Sequence, residues 1–175
     1  FFSSGLLYRV IALHNEKTNS FNLNEFEIIS NDPIVCKVDG NVYEEKNLYT
    51  PEINTKSSEI AQLSEIRIIV SNVLQFIFNN STSGLVVEGR DMGSVVFKNA
   101  DLKIYLDASE VTRSERRKAQ SGNKESVEDL RARDSRDINR KISPLIIPDD
   151  AIVINNENKS IDELIKIIKE NLKLQ

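Results

Sequence analysis

Gly84-Leu85-Val86-Val87-Glu88-Gly89-Arg90-Asp91-Met92-Gly93-Ser94-Val95-Val96-Phe97 is the stretch around which the rest of the chain is organised. Its short apolar run ends in Glu88-Gly89-Arg90-Asp91, so a buried strand delivers an opposite-charge pair into a turn at its C-terminal end, with permissive glycines at 89 and 93. Open α/β sheets place their ligands at such strand ends. Arg90 offers a planar fork suited to phosphate or carboxylate, and Asp91 can orient it or accept hydrogen bonds from a substrate. Taken alone, these four residues are more simply explained as a structural Arg-Asp pair. Other stretches have to decide.

The chain has 175 residues and can bury a sizeable core within a single domain. Hydrophobic residues make up 39% and charged residues 29%, a soluble globular balance with no apolar run of transmembrane length. One Cys, Cys36, excludes an internal disulfide, and one Cys with one His excludes the usual zinc site. A reducing cytoplasm and a monomer are expected. The N-terminus, Phe1-Phe2-Ser3-Ser4-Gly5, has neither an initiator Met nor the basic start and apolar stretch of a secretory signal, and reads like a chain entered mid-fold. Residues 113–141 hold ten Lys/Arg against six Asp/Glu, a local +4 within a net charge of -4. That favours one local anion site over broad nucleic-acid binding.

Along the chain, Phe1-Phe2 is the tail of a strand and Ser3-Ser4-Gly5 a turn with Ser4 as helix cap. Leu6, Leu7, Val10, Ile11 and Leu13 follow at helical spacing. His14 falls at the end of this helix and is expected on the surface, with no Ser or Cys nucleophile beside it. Residues 21–50 alternate polar and apolar positions, and Asp39-Gly40 between two β-rich runs signals a hairpin. A helix from Ser57 or Ser58 to Phe78 carries Ile60, Leu63, Val70, Leu74 and Ile77 as one stripe. Arg67 falls on that stripe and must snorkel or find an anion, supplied by protein or ligand.

Leu102 to Ala108 is a second strand, and Ser109-Glu110 begins a polar helix bearing Arg113, Arg116 and Arg117. Gly122-Asn123 interrupts it. In the next helix Arg133, Asp137 and Arg140 share a face, with Asp137 placed to hold both arginines, although a solvated charge ladder is the commoner cause of that spacing. Ala151 to Asn155 is a third strand, and Ser160-Ile161-Asp162-Glu163 is a capping box opening a terminal helix through Leu174.

Together Ser4-Gly5-x-x-Tyr8-Arg9, Gly89-Arg90-Asp91-Met92-Gly93-Ser94-Val95-Val96-Phe97, Leu106-Asp107-Ala108-Ser109 and Arg133-Asp134-x-x-Asp137-x-x-Arg140 resemble bacterial cytidylate kinase, in the right order over essentially the whole chain. The resemblance implies an α/β fold of the P-loop nucleoside-monophosphate-kinase type. It would have a parallel sheet with flanking helices, a small β-rich monophosphate-binding insert at about 15–56 and a helical lid at about 112–141, all in one domain. It implies phosphorylation of CMP and dCMP by ATP with Mg2+, with no metal ligand from the chain itself, no nucleic-acid partner and no membrane. Carried over by position, Ser4, Ser58, Arg67, Arg90, Asp91, Asp137 and Arg140 would form the monophosphate site. Ser58 and Asp91 would meet the base or its surroundings, Asp137 the sugar, and Arg67 with Arg140 the phosphate. Arg116, Arg117 and Arg133 would close over the triphosphate, and Arg90, Arg133 and Arg140 would serve the transfer. Phosphoryl transfer suits such a set, because it asks for positioning and positive charge and needs no protein nucleophile.

This chain departs from the family pattern in three places. No G-x-x-x-x-G-K-S/T occurs in the 175 residues. In the family that loop precedes the position of Phe1 and follows the central strand of the sheet, between the Val86 and Ile104 strands. A sheet without its first, central strand and a chain impaired in transfer are therefore expected. The family's Asp before Ser4 is Ser3 here, and a family Arg in the insert is Tyr49. The alternative is a non-catalytic nucleotide-monophosphate-binding protein or an inactive fragment.

Overall fold

The computed structural model describes residues 1–21, 23–31, 34–121 and 126–172. From the N-terminus, β1 (Phe2–Ser3) runs directly into α1 (Ser4–Thr18). Three strands follow, β2 (Phe26–Asn31), β3 (Ile34–Val38) and β4 (Asn41–Glu44), then α2 (Glu45–Leu48), α3 (Pro51–Ile60) and α4 (Ser64–Asn79). The second half holds β5 (Val87–Glu88), β6 (Ile104–Asp107), α5 (Glu110–Ser121), α6 (Val127–Asn139), β7 (Ile152–Asn155) and α7 (Ile161–Leu172).

The parallel strands stand as two pairs. β1 lies beside β5, with Phe2 opposite Val87 and Ser3 opposite Glu88. β6 lies beside β7, from Ile104 opposite Ile152 to Asp107 opposite Asn155. Among the described residues no ladder joins the pairs, so the parallel strands stand as two separate edges of an α/β arrangement. Each pair opens into loops and helix starts at its C-terminal ends. On the first pair this sets Ser4 and Gly89 side by side: a Cβ added to Gly89 would lie 2.2 Å from Ser4 Oγ and 2.8 Å from Met92 Cγ. Glycine is required there by the closeness of its neighbours.

The insert hairpin forms as its turn residues dictate. Asp39 (φ 46) and Gly40 (φ 80) both take the left-handed conformation that a two-residue hairpin loop demands. The neighbouring β2 completes an antiparallel sheet in the order β2-β3-β4. The sheet closes over α1: Leu7, Val10 and Ile11 of the helix are buried in one cluster with Cys36, Val38 and Tyr43 of the insert and Ile66, Val70 and Leu74 of α4.

Three sequence expectations need correction. The helix expected from Ser57 or Ser58 to Phe78 is two helices bent by 100°, because Thr50 with Pro51 starts α3 earlier and the chain turns between Ile60 and Ser64. Thr50 Oγ1 accepts from Ile53 N at 3.3 Å, an ordinary N-cap, and Leu63 closes the turn on Ile60 O at 3.0 Å. The apolar stripe runs through the break, which is why periodicity alone joined the two helices. His14 is not on the surface. It is 2% exposed, with Nδ1 at 2.7 Å from the Tyr43 hydroxyl, because the insert covers the end of α1. The cap of α1 is Ser3, not Ser4, and its hydroxyl is drawn across to Glu88 at 2.5 Å, leaving no side-chain cap bond.

The capping box of α7 is present, with Ser160 N donating to Glu163 Oε2 at 2.7 Å and Glu163 N to Ser160 Oγ at 3.2 Å. The Gly122-Asn123 break and the helix end at Leu174 lie outside the described residues. No single described helix is long and apolar enough to cross a membrane.

Candidate active site

Asp91 follows the end of β5 and is held by the next turn. Val95 N and Val96 N both donate to its carbonyl, at 2.9 and 3.2 Å, and Phe97 N reaches Met92 O at 2.7 Å, so residues Met92–Val96 form a π-helical turn. Such turns recur at functional sites because they re-aim the side chains at their start. Here the re-aimed group is a carboxylate 3% exposed, facing two arginines from distant helices.

Arg67 Nη2 donates to Asp91 Oδ2, and Arg67 Nη1 donates at 2.7 Å to Ala61 O, a carbonyl left by the break after α3. Its guanidinium also lies 5.7 Å from the centre of the buried Tyr8 ring. Arg140 approaches the other Asp91 oxygen at 3.9 Å and donates to Asp137 Oδ1 at 3.2 Å. Arg90 sits between two carboxylates of α6, with Nε 3.4 Å from Asp137 and Nη1 3.7 Å from Asp134. Arg113 of α5 completes the chain on the second Asp134 oxygen. Arginine and aspartate thus alternate from α4 through the β5 turn to the helices that follow β6.

Arg67 (6% exposed), Asp137 (5%) and Arg140 (8%) are too buried for a solvated charge ladder, which overturns the commoner explanation of the Arg133, Asp137, Arg140 face. Yet Asp137 Oδ2, Asp134 Oδ1 and Arg140 Nη2 are buried without a hydrogen-bond partner, and so is the Ser58 hydroxyl. Buried polar atoms normally make hydrogen bonds, so a cluster that faces its counter-charges without them is a candidate ligand site. Burial lowers the Arg140 pKa, and Arg67 nearby pushes the same way. The Arg133 guanidinium is brought down to about 10, first by burial and then by Arg9 and Arg90, with Asp137 opposing; it still carries its proton near neutrality. Crowded cations of this kind are relieved by an anion.

The structure therefore gathers Arg67, Arg90, Asp91, Asp137 and Arg140 in one network, with Arg133 near Arg9 and Arg90. Ser4 is buried against Gly89, and Ser58 is buried on α3. Arg116 lies apart, donating to Asn156 O at 2.7 Å and Glu157 O at 3.4 Å beyond β7. The Arg117 charge opposes the upward shift that burial gives the Tyr49 hydroxyl. Residues without a role from sequence now have one: Asp134 and Arg113 extend the network, and Arg9 is buried with Nε donating to Asn54 Oδ1 at 2.9 Å. The signal for Arg9 was present in Ser4-Gly5-x-x-Tyr8-Arg9, one turn after Gly5, whose carbonyl it also reaches at 2.7 Å.

A family model described as cytidylate kinase matches residues 1–174. The chain belongs to the cytidylate kinase family. It is 34% identical to the cytidylate kinase of Flavobacterium psychrophilum, over 96% of this chain and 84% of that one. To the cytidylate kinase of Nitrosomonas europaea it is 37% identical, over 94% of this chain and 79% of the other. For cytidylate kinase 1 of Haemophilus influenzae the identity is 33%, with 93% and 77% covered. Cytidylate kinases are nucleoside monophosphate kinases, phosphotransferases that use ATP as donor. The buried arginines fit that chemistry, since a phosphoryl group needs positive charge on several sides. Among the described residues no group of three or more His, Cys, Asp or Glu is placed to hold a metal ion.

Proposed function

We propose that this protein binds CMP or dCMP on the Arg67, Asp91, Arg140, Asp137 and Arg90 network and phosphorylates it from ATP to CDP or dCDP. The observation that carries the proposal is that network: four buried charged side chains, drawn from three segments, with polar atoms that make no hydrogen bond left among them. Arg67 and Arg140 hold the acceptor phosphate, Asp137 takes sugar hydroxyls, and Ser58 with Asp91 meets the base. Ser4 lies at the pocket floor beside Gly89. Arg90 and Arg133 face the transferring group, where they stabilise the charge spread over its oxygens.

In the same proposal ATP's phosphates are met by Arg133 and Arg117, with Arg116 near the loop after β7. Mg2+ bound with the nucleotide would screen the phosphate charge. The chain is one domain whose insert, about 15–56, and lid, about 112–141, bracket the pocket. It acts as a cytoplasmic monomer on small molecules, without nucleic-acid or membrane partners.

Calorimetric titration with CMP, dCMP, UMP and AMP tests the pocket, and a coupled ATP/CMP assay tests transfer. Saturable CMP binding that Arg140→Ala weakens by at least tenfold is expected. CMP binding unchanged by Arg140→Ala and Arg67→Ala overturns the site, and binding with no detectable transfer points to a nucleotide-binding protein.

A further inference from the structure

Asp134 lies on α6 one turn before Asp137, and the two carboxylates flank the same guanidinium. Arg90 Nη1 stands 3.7 Å from Asp134 Oδ1, and Arg90 Nε stands 3.4 Å from Asp137 Oδ2. Neither contact is a hydrogen bond, and both oxygens are buried without one, so charge sets the Arg90 guanidinium between them. The other Asp134 oxygen accepts from Arg113 Nη1. Arg113 is anchored in turn, with Nε donating at 3.2 Å to Ala108 O, just past the end of β6. Arg90 itself follows the end of β5. A line from Ala108 through Arg113 and Asp134 to Arg90 therefore links the C-terminal ends of two strand pairs that no ladder joins among the described residues. We infer that Asp134 is a positioning residue, which holds Arg90 at the monophosphate pocket and is itself set in place by Arg113. The inference deepens the site proposed above and rests on it.

The two carboxylates are not equivalent. Asp137 also accepts from Arg140 at 3.2 Å, and in the proposed site it takes sugar hydroxyls, so its hold on Arg90 is shared. Asp134 has no place against the ligand in that proposal, and among the described residues its ion pairs are with Arg90 and Arg113. Its side chain is 12% exposed, against 36% for Arg90 and 40% for Arg113, so the carboxylate is the fixed member and the arginines are the adjustable ones. The Arg90 guanidinium makes no hydrogen bond with the described residues, which leaves its N–H donors open to an anion. A carboxylate in this position does two things of opposite sign. Its charge repels an incoming phosphate, while its hold on Arg90 aims a cation at that phosphate. Neutralising Asp134 tightens CMP binding if only its charge matters, and weakens it if the aim of Arg90 matters more.

The test is CMP and cytidine affinity, by calorimetry, for Asp134→Asn, Arg113→Gln, Arg90→Gln and Arg90→Gln/Asp134→Asn, with thermal midpoints recorded alongside. Asp134→Asn keeps the size of the side chain without its charge and should weaken CMP about three- to tenfold, within the range of coupling between neighbouring charged groups. Cytidine has no phosphate for Arg90 and should bind this variant as it binds the wild type. Arg113→Gln frees the Asp134 carboxylate without neutralising it and should weaken CMP about two- to threefold. In the Arg90→Gln background, Asp134→Asn should cause no further loss. Unchanged or tighter CMP binding in Asp134→Asn, an equal loss for cytidine, or the same loss with and without Arg90 overturns the inference. A lowered thermal midpoint with CMP affinity intact makes Asp134 a purely structural tie and overturns it too. Should Asp134→Asn or Arg90→Gln fail to fold, Arg113→Gln decides by the same comparison of CMP with cytidine. Wild-type protein that binds no CMP removes the pocket itself, and this inference with it, a result distinct from CMP binding that ignores Asp134.

Discussion

Asp91 and Glu157 each gather hydrogen-bond donors from a distant part of the chain, one in the interior and one near the surface. Asp91 faces Arg67 and Arg140 with almost no access to water. Glu157 sits past β7 and accepts from Ser109 N at 2.7 Å, Ser109 Oγ at 2.6 Å and Thr112 Oγ1 at 2.5 Å, fastening the start of α5. The donors at Glu157 are neutral and solvent is close, so losing one partner leaves nothing stranded. At Asp91 the partners are buried cations, and removing the carboxylate leaves their charge uncompensated. The difference suits the two places as proposed: the floor of the proposed pocket has to hold its geometry before a ligand arrives, whereas the root of α5, in the proposed lid, needs only to be attached.

The largest expected effect breaks the interior half of that comparison. Asp91→Asn should cost about 3–5 kcal/mol of stability, the usual result of unpairing a buried ion, and urea unfolding at neutral pH measures it. A loss below about 1 kcal/mol would put the pair among surface ion pairs and remove the contrast. Gly89→Ala comes next: its new methyl collides with Ser4 Oγ and Met92 Cγ, and overpacking of this kind costs about 1–3 kcal/mol. Since Ser4 lies in the proposed pocket, CMP affinity should fall in the same variant. A wild-type unfolding curve would show that the floor yields.

Tyr43→Phe tests a buried side-chain pair between these extremes. It strands His14 Nδ1, which now stands 2.7 Å from the Tyr43 hydroxyl, and should cost about 1–3 kcal/mol by the same unfolding measurement. The smallest effect is at the lid root, where Glu157→Gln should move the thermal midpoint least of the four. The Ser109 hydroxyl and backbone N–H, with Thr112, hold the Glu157 carboxyl down at about 2. A depressed carboxyl stabilises the fold above its ordinary titration range, and that contribution is lost as pH falls through about 2. Protection factors of the amides at the start of α5 should therefore hold down to pH 4 and fall below pH 3 in the wild type. Glu157→Gln should remove that acid step, and an identical acid profile in the variant would assign the step elsewhere.

Much of the buried charge network was legible in the order of residues because its signals are local. Glu88-Gly89-Arg90-Asp91 marked a strand end, and Arg133, Asp137 and Arg140 shared a helix face by spacing alone. What spacing leaves open is whether such a face is solvated, and here burial answered it. Arg67 shows the same limit. Its place on an apolar stripe called for an anion, but Asp91, 24 residues away, could be chosen only once α4 packed beside the β5 turn. The break before α4 was hidden for a related reason, since an apolar stripe can be shared by two helices that meet a common core.

Sequence by itself determined the family, the α/β order of elements, the Asp39-Gly40 hairpin, the α7 capping box and most of the charged residues of the site. Each depends on neighbours in the chain: turn conformation, helical period, caps and motif order. Only the tertiary structure decided that His14 is buried under Tyr43, that Arg67 pairs with Asp91, and that Asp134 stands between Arg90 and Arg113. Those outcomes depend on which surfaces cover one another and so exclude water. Exclusion of water sets how much a charge or a ring is worth, and no local pattern encodes it.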